Sequence, residues 1–323
     1  MNGEQIAEEN AAVLRGVRRR AYNRRMAPLR GCTLVLAAIA LLLPASLHGA
    51  ADDWHVGVRT GLIQPGDVLK LDIRPPDGTT MVTARWSDRD VPLARQADGT
   101  WRGLFGIDVE MAPGPKVLTL RGTRPTGAAV EGTHTFDVAP KAVRTRRIRV
   151  NPKFVNPPKS AWPRIQEETE LLNALFRKPP SAERWWAVGA VRPVEGVAVS
   201  GFGVRSVLNG QPRGPHNGLD LAAVTGTPVH APTPGVVVYA RPFYYSGNTV
   251  ILDHGHGLFS TMAHLSVIDV KDGQQVTQGE LLGKVGATGR VTGPHLHWAV
   301  RLHGDRVDPL KLLEALAPAA GAR

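Results

Sequence analysis

TGPHLHWAV, residues 292–300, is the stretch on which the fold reading turns. In a strand, side chains alternate. His295 and His297 therefore share one face, while Leu296, Trp298 and Val300 take the other. The apolar face asks for a core, which leaves the two histidines together on the opposite face. Their β-carbons would lie about 7 Å apart, close enough for both to reach one site. Pro294, which lacks a backbone donor, suits the first position of such a strand.

HNGLDLAA, residues 216–223, offers a complement to that pair. On a helix His216 and Asp220 would be neighbours, but Gly218, Pro212 and Pro215 argue against a helix. On a straight strand they would sit about 13 Å apart. A bend at Gly218 is therefore required if they act together. Two histidines and one aspartate around a zinc ion leave a net charge of +1 and an open fourth position. That arrangement drives a bound water towards hydroxide near neutral pH. Eight of the 11 histidines fall within 201–323, a skew that marks this part of the chain as the seat of the chemistry.

Working outward, the chain from about residue 188 is rich in glycine and in short apolar runs. Pro234-Gly235 introduces Val236 to Tyr239. Thr249 to Leu252 and Leu258 to Ala263 flank His254-Gly255-His256-Gly257, which reads as a hairpin. Gly279, Gly283, Gly286 and Gly289 punctuate the next stretch. No helical period interrupts these runs, so an antiparallel β-fold is expected. The histidines of the 254–257 turn, together with His230 and His303, are read as non-ligands.

Upstream, Trp54 to Ala139 repeats the strand-and-turn pattern. In Val68 to Ile73 the residues Leu69, Leu71 and Ile73 share a face opposite Lys70 and Asp72. Further runs lie at Met81–Trp86, Leu104–Ile107, Lys116–Leu120 and Thr133–Val138. This spacing predicts a small Ig-like β-sandwich, and it carries no chemical cluster. Residues 161–178 switch period: Ile165, Thr169, Leu172 and Phe176 share one helical face, Pro163 suits the first turn, and Pro179-Pro180 ends the helix.

The overall class is mainly β. The expected organisation is a signal at 1–50, a β-sandwich at 52–142, a linker at 143–187 holding the helix, a β domain at 188–313 and a tail at 314–323. The signal reading rests on basic residues 1–31 followed by Cys32–Ala45, 14 residues whose only polar member is Thr33. That run is shorter than the roughly 20 apolar residues a membrane span needs, and fits the apolar core of an export signal. A start at Met26 gives the better-proportioned signal. Export places the protein in the periplasm or cell envelope, membrane-tethered where the signal stays uncleaved.

Composition bounds the rest. The chain has 323 residues, 42% hydrophobic and 21% charged, with 35 Gly and 26 Pro. These values exclude a disordered chain and a polytopic membrane protein. One cysteine excludes a disulfide scaffold and a Cys-based zinc cluster. The formal charge of +11 falls to +7 without residues 1–50, and its scattered arginines form no nucleic-acid motif. An anionic cell-wall or membrane surface suits it better than nucleic acid. Oligomeric state is left open.

HNGLDLAA, MAHLS and TGPHLHWAV resemble, in order and spacing, the three signatures of the lysostaphin-type (LytM-like) zinc metalloendopeptidases. GTPVHAPTPGVVVYA, VTQGELLGKVGATG and DRVDPLKLL also resemble stretches of that family. The resemblance covers about 188–313. It implies one Zn2+ per chain held by His216, Asp220 and His297, with His264 and His295 as catalytic non-ligand histidines. One of these takes a proton from the attacking water; the other steadies the oxyanion or protonates the leaving amine. It implies hydrolysis of peptide bonds in peptidoglycan stem peptides or cross-links. Met262 departs from the family, which often has a tyrosine there. In strand 258–264, His264 is expected to share a face with Ser260 and Met262. The competing reading is a non-enzymatic cell-wall-binding regulator of the amidase-activator type, whose usual lack of zinc ligands is not matched here. A lipoyl- or biotinyl-carrier reading fails because Lys271 and Lys284 lack the modification motif.

Overall fold

The structure, a computed structural model, describes residues 53–58 and 61–317. The export-signal reading of residues 1–50 lies outside the described residues. Among the described residues no helix is long and apolar enough to cross a membrane.

Residues 55–138 form two four-stranded antiparallel sheets. Alternation builds them: in Val68–Arg74 the residues Leu69, Leu71 and Ile73 are at most 1% exposed. They meet Trp86, Phe105, Leu118, Leu120 and Phe136 in one apolar core. Trp86 donates its buried indole N–H to the Gly106 carbonyl at 2.9 Å.

A larger sheet comes next. Its main path runs Val197–Ser200, Gly218–Ala222, Leu296–Leu302, Leu258–Ile268, Gly247–Asp253, Gly235–Phe243 and Gln275–Val276, every pair antiparallel. The 254–257 turn joins two adjacent strands as the hairpin reading expects. Leu296, Trp298, Val300 and Leu302 are fully buried on one face, against Leu219, Leu221, Val250, Leu252 and Met262. Truncating a residue such as Trp298 to alanine costs about 3–5 kcal/mol. The other face of the same strands carries His297, Ala299 and Arg301 into a cleft.

The front sandwich and this sheet share contacts. Val68 and Leu104 join the core of the large sheet. Arg306 is doubly hydrogen-bonded to Asp108, at 2.6 and 3.0 Å, and reaches Glu110 at 2.6 Å. His303 Nε2 lies 3.1 Å from the Leu104 carbonyl.

The segment between them is more ordered than a linker reading suggests. Thr145–Ile148 is a strand paired in parallel with Arg205–Leu208, the one parallel strand pair among the described residues. The helix spans Trp162–Phe176. Leu175 packs on Tyr239, Phe243, Ile251 and Phe259, and the Glu168 carboxylate accepts the Tyr244 N–H at 2.8 Å. The predicted face of Ile165, Thr169, Leu172 and Phe176 lines the cleft. Helix and linker strand thus wall a cleft whose floor is the large sheet.

Candidate metal centre

Asp220 and His297 are direct cross-strand partners, so both side chains leave the sheet on the cleft face. His216 precedes the Gly218–Ala222 strand. Its backbone is held by Gly203 and Val204, through Gly203 N–H to its carbonyl at 2.8 Å and its own N–H to Val204 O at 2.9 Å. Residues 216–217 lie between the strands Gln211–Pro215 and Gly218–Ala222.

The expected bend does not fall at Gly218, which is itself a strand residue paired with Ala299. Its role is close approach. A β-carbon there would stand 2.8 Å from His297 Nε2 and 2.6 Å from the Trp298 carbonyl. Only glycine leaves the His297 ring where it lies.

His216 Nε2, Asp220 Oδ1 and His297 Nδ1 form a triangle with sides of 2.9, 3.0 and 3.1 Å. They are the residues among those described whose donor atoms converge well enough to hold a metal ion. A tetrahedral ion with bonds of 2.0–2.1 Å spaces its ligands about 3.3 Å apart, so the present triangle needs only a small expansion to reach that geometry. Two imidazole nitrogens facing each other at 3.1 Å cannot both keep lone pairs there without a proton or a cation between them. His216 Nδ1 sits 3.1 Å from the Gly201 carbonyl, which fixes Nδ1–H and frees Nε2 for the ion. Burial raises the Asp220 pKa, but hydrogen bonds from His216 and His297 outweigh it and hold the carboxyl well below the usual range. Burial depresses His297, partly offset by its bond to Asp220. A carboxylate with two imidazoles is the donor set a divalent N/O-seeking ion requires.

His295 and His264 stand beside this triangle. His295 Nε2 lies 3.7 Å from Asp220 Oδ1, and its Nδ1 is 2.9 Å from the Gly293 carbonyl. His264 Nδ1 is 2.8 Å from the Thr288 carbonyl, and its ring centroid is 4.9 Å from that of His295. Burial, then the neighbouring charges of His297 and His295, push the His264 pKa down to about 3.

His264 reaches the cleft by a different route from the one expected. Met262 and Ser260 face the interior: Met262 is in the main core, and Ser260 bonds the buried His254 at 2.6 Å. Thr261 and Ala263 line the cleft instead. Simple alternation would send His264 inward with Met262. A β-bulge intervenes: Asn248 pairs with Leu265 and Val250 with Met262, so one strand has an extra residue. His264 takes a left-handed φ of 65° there, which re-aims its ring.

His254, pushed down to about 4 by burial, and His303 make structural hydrogen bonds away from this site. Three contributors escaped the sequence reading. Arg146, on the linker strand, brings Nη2 to 3.8 Å from Asp220 Oδ2. Gly201 and Thr288 contribute backbone carbonyls, for which side-chain identity carries no signal. For Arg146 the run Arg144-Thr145-Arg146-Arg147-Ile148-Arg149 does not alternate and carries no strand signal, so the sequence places it in the linker.

Residues 214–309 match peptidase family M23. Over 97 residues the chain is 47% identical to the peptidoglycan DD-endopeptidase ShyA of Vibrio cholerae, covering 30% of this chain and 23% of that protein. It is 42% identical to the DD-carboxypeptidase/endopeptidase Mpg of Neisseria meningitidis over the same length, 30% of this chain and 22% of the other. The matched stretch is thus under a quarter of those relatives. A crystal structure from Pseudomonas aeruginosa assigned to peptidase M23 is 33% identical, with a TM-score of 0.61. It covers 79% of this chain and 96% of its own. With a relative matched along nearly its whole length, and the family's region containing His216, Asp220 and His297, this chain belongs to peptidase family M23.

Proposed function

We propose that this chain is a zinc-dependent endopeptidase that hydrolyses peptide bonds in peptidoglycan stem peptides or cross-links, acting in the cell envelope after export. The observation that carries the reading is the donor triangle on the cleft floor, with two further imidazoles beside it whose Nε2 atoms are not committed to the backbone. The names of ShyA and Mpg support peptidoglycan as the substrate.

His216, Asp220 and His297 would hold the ion, with Gly201 fixing the first ring. A bound zinc supplies a polarised water and Lewis-acid activation of the scissile carbonyl. His264 and His295 each donate Nδ1–H to a backbone carbonyl, which leaves Nε2 of each ring as the nitrogen free to exchange a proton. A ring that has taken a proton becomes a donor at Nε2. It can then stabilise negative charge on the carbonyl oxygen or protonate the leaving amine. Two imidazoles therefore cover both halves of the proton traffic.

The test is digestion of chemically defined muropeptides with product masses read out, alongside metal analysis. The native chain should bind one zinc and cleave a peptide bond. His264→Ala and His295→Ala should keep zinc and lose hydrolysis. Loss of zinc from either, as complete as from His297→Ala, would overturn the division into ligands and proton carriers.

A further inference from the structure

The cleft floor and walls carry four guanidinium groups, Arg146, Arg213, Arg290 and Arg301, and two carboxylates, Asp220 and Glu168. The carboxylates are spoken for. Asp220 belongs to the donor triangle, and Glu168 accepts from the Tyr244 N–H and from Arg164 Nε at 2.7 Å. Three of the arginines are also engaged. Arg146 bonds Ser206 Oγ at 3.2 Å and leans on Asp220. Arg213 donates to the Val155 carbonyl and to Gln211 Oε1, both at 3.0 Å. Arg301 donates to the Gly304 carbonyl at 3.1 Å and lies over the Phe176 ring.

Arg290 differs. Its guanidinium rests on the face of Tyr245, 4.9 Å from the ring centroid, and has no carboxylate or carbonyl partner among the described residues. Its backbone N–H bonds the Tyr245 carbonyl at 2.7 Å, so the side chain starts from a fixed point. Two residues earlier, Thr288 supplies the carbonyl that orients His264. A half-buried cation without a counter-charge, on the loop that sets a catalytic imidazole, is a receptor for an anion brought by the ligand. Its N–H groups remain available for a bidentate contact with an anion.

We propose that Arg290 is a specificity determinant that pairs with a free carboxylate of the substrate peptide, close to the scissile bond on the His264 side. It rests on the peptidase reading of the same cleft. The substrate class is then an anionic peptide rather than a neutral bridge of the oligoglycine kind.

The test compares two cross-linked muropeptides, identical except that the carboxylates flanking the scissile bond are free in one and amidated in the other. A charge-assisted pair supports a preference of about ten- to hundredfold in kcat/KM for the free form. Arg290→Gln should reduce that ratio to within about threefold, chiefly through KM, and Arg290→Lys should keep part of it. Equal rates on both peptides for the native chain, or an unchanged ratio in Arg290→Gln, would overturn the proposal. A second readout is independent of turnover. Calorimetric binding of the same two peptides to the full chain with metal chelated should show the same preference. If that preference is present while no peptide is cleaved, the carboxylate receptor stands and the peptidase reading falls. Equal binding removes the receptor whatever the rates.

Discussion

The bulge at His264 can be tested by separating the backbone from the imidazole. His264→Ala and His264→Gly both remove the ring and its bond to the Thr288 carbonyl, so their difference reports on the main chain alone. At an ordinary strand position glycine is the less stable of the two by about 0.5–1 kcal/mol, because it loses more chain entropy on folding. At a φ of 65°, alanine meets a steric cost of about 1–2 kcal/mol that glycine escapes. The two effects oppose each other, and the steric one is larger. His264→Gly should therefore be more stable than His264→Ala by about 0.5–1 kcal/mol, a reversal of the ordinary order. In a chain of this size that is a melting difference of about 1–2 °C. The assay is thermal or urea unfolding followed by circular dichroism, with metal chelated in both samples so that zinc linkage does not contribute. Neither variant should hydrolyse muropeptides. If alanine equals or exceeds glycine, the left-handed geometry does not exist in solution, and a bulge cannot be what turns this histidine into the cleft.

The remaining predictions concern the metal, the interface and the cleft wall. His216→Ala should lose stoichiometric zinc. Gly218→Ala, whose methyl would press on His297, should weaken zinc binding by about 10–100-fold, read by competition with a chelator. Asp305, beside Arg89 of the front sandwich, has its pKa raised by burial to about 7. A raised carboxyl stabilises the fold fully below the unfolded value near 4 and loses that contribution as pH rises through 7. Relative to Asp305→Asn, the native chain should lose stability across that window, and parallel urea midpoints at each pH would sink the assignment. A chain beginning at Ser181 lacks Arg146, Ile165, Leu172 and Phe176 and uncovers Phe243 and Phe259. It should retain zinc and some hydrolysis of small soluble muropeptides with a raised KM; zinc binding with no hydrolysis would mean that residues 145–176 help to build the active site itself.

Local sequence determined everything that depends on a short period. Alternation in 292–300 set which residues enter the core and which face the cleft, because a strand side chain has only two directions to take. The same rule found the strands of the front sandwich, and a 3.6-residue period found the cleft face of the 162–176 helix. The histidine and aspartate spacings pointed to a metal site, and the resemblance of three segments to the lysostaphin-type peptidases supplied the hydrolytic reading. What alternation could not supply was any feature created where distant segments meet. Met262 and His264 are two apart and should share a face; they do not, because pairing with Gly247–Asp253 forces an extra residue into one strand. Gly218 looked like a bend and is instead the space that His297 occupies, a constraint visible only once residue 297 lies across from residue 220. Arg146 reached Asp220 because a parallel strand pair carried it there from 74 residues away. Period is a property of neighbouring residues, whereas register, bulge and close approach are set by long-range pairing, so the tertiary structure alone decided how the pieces converge.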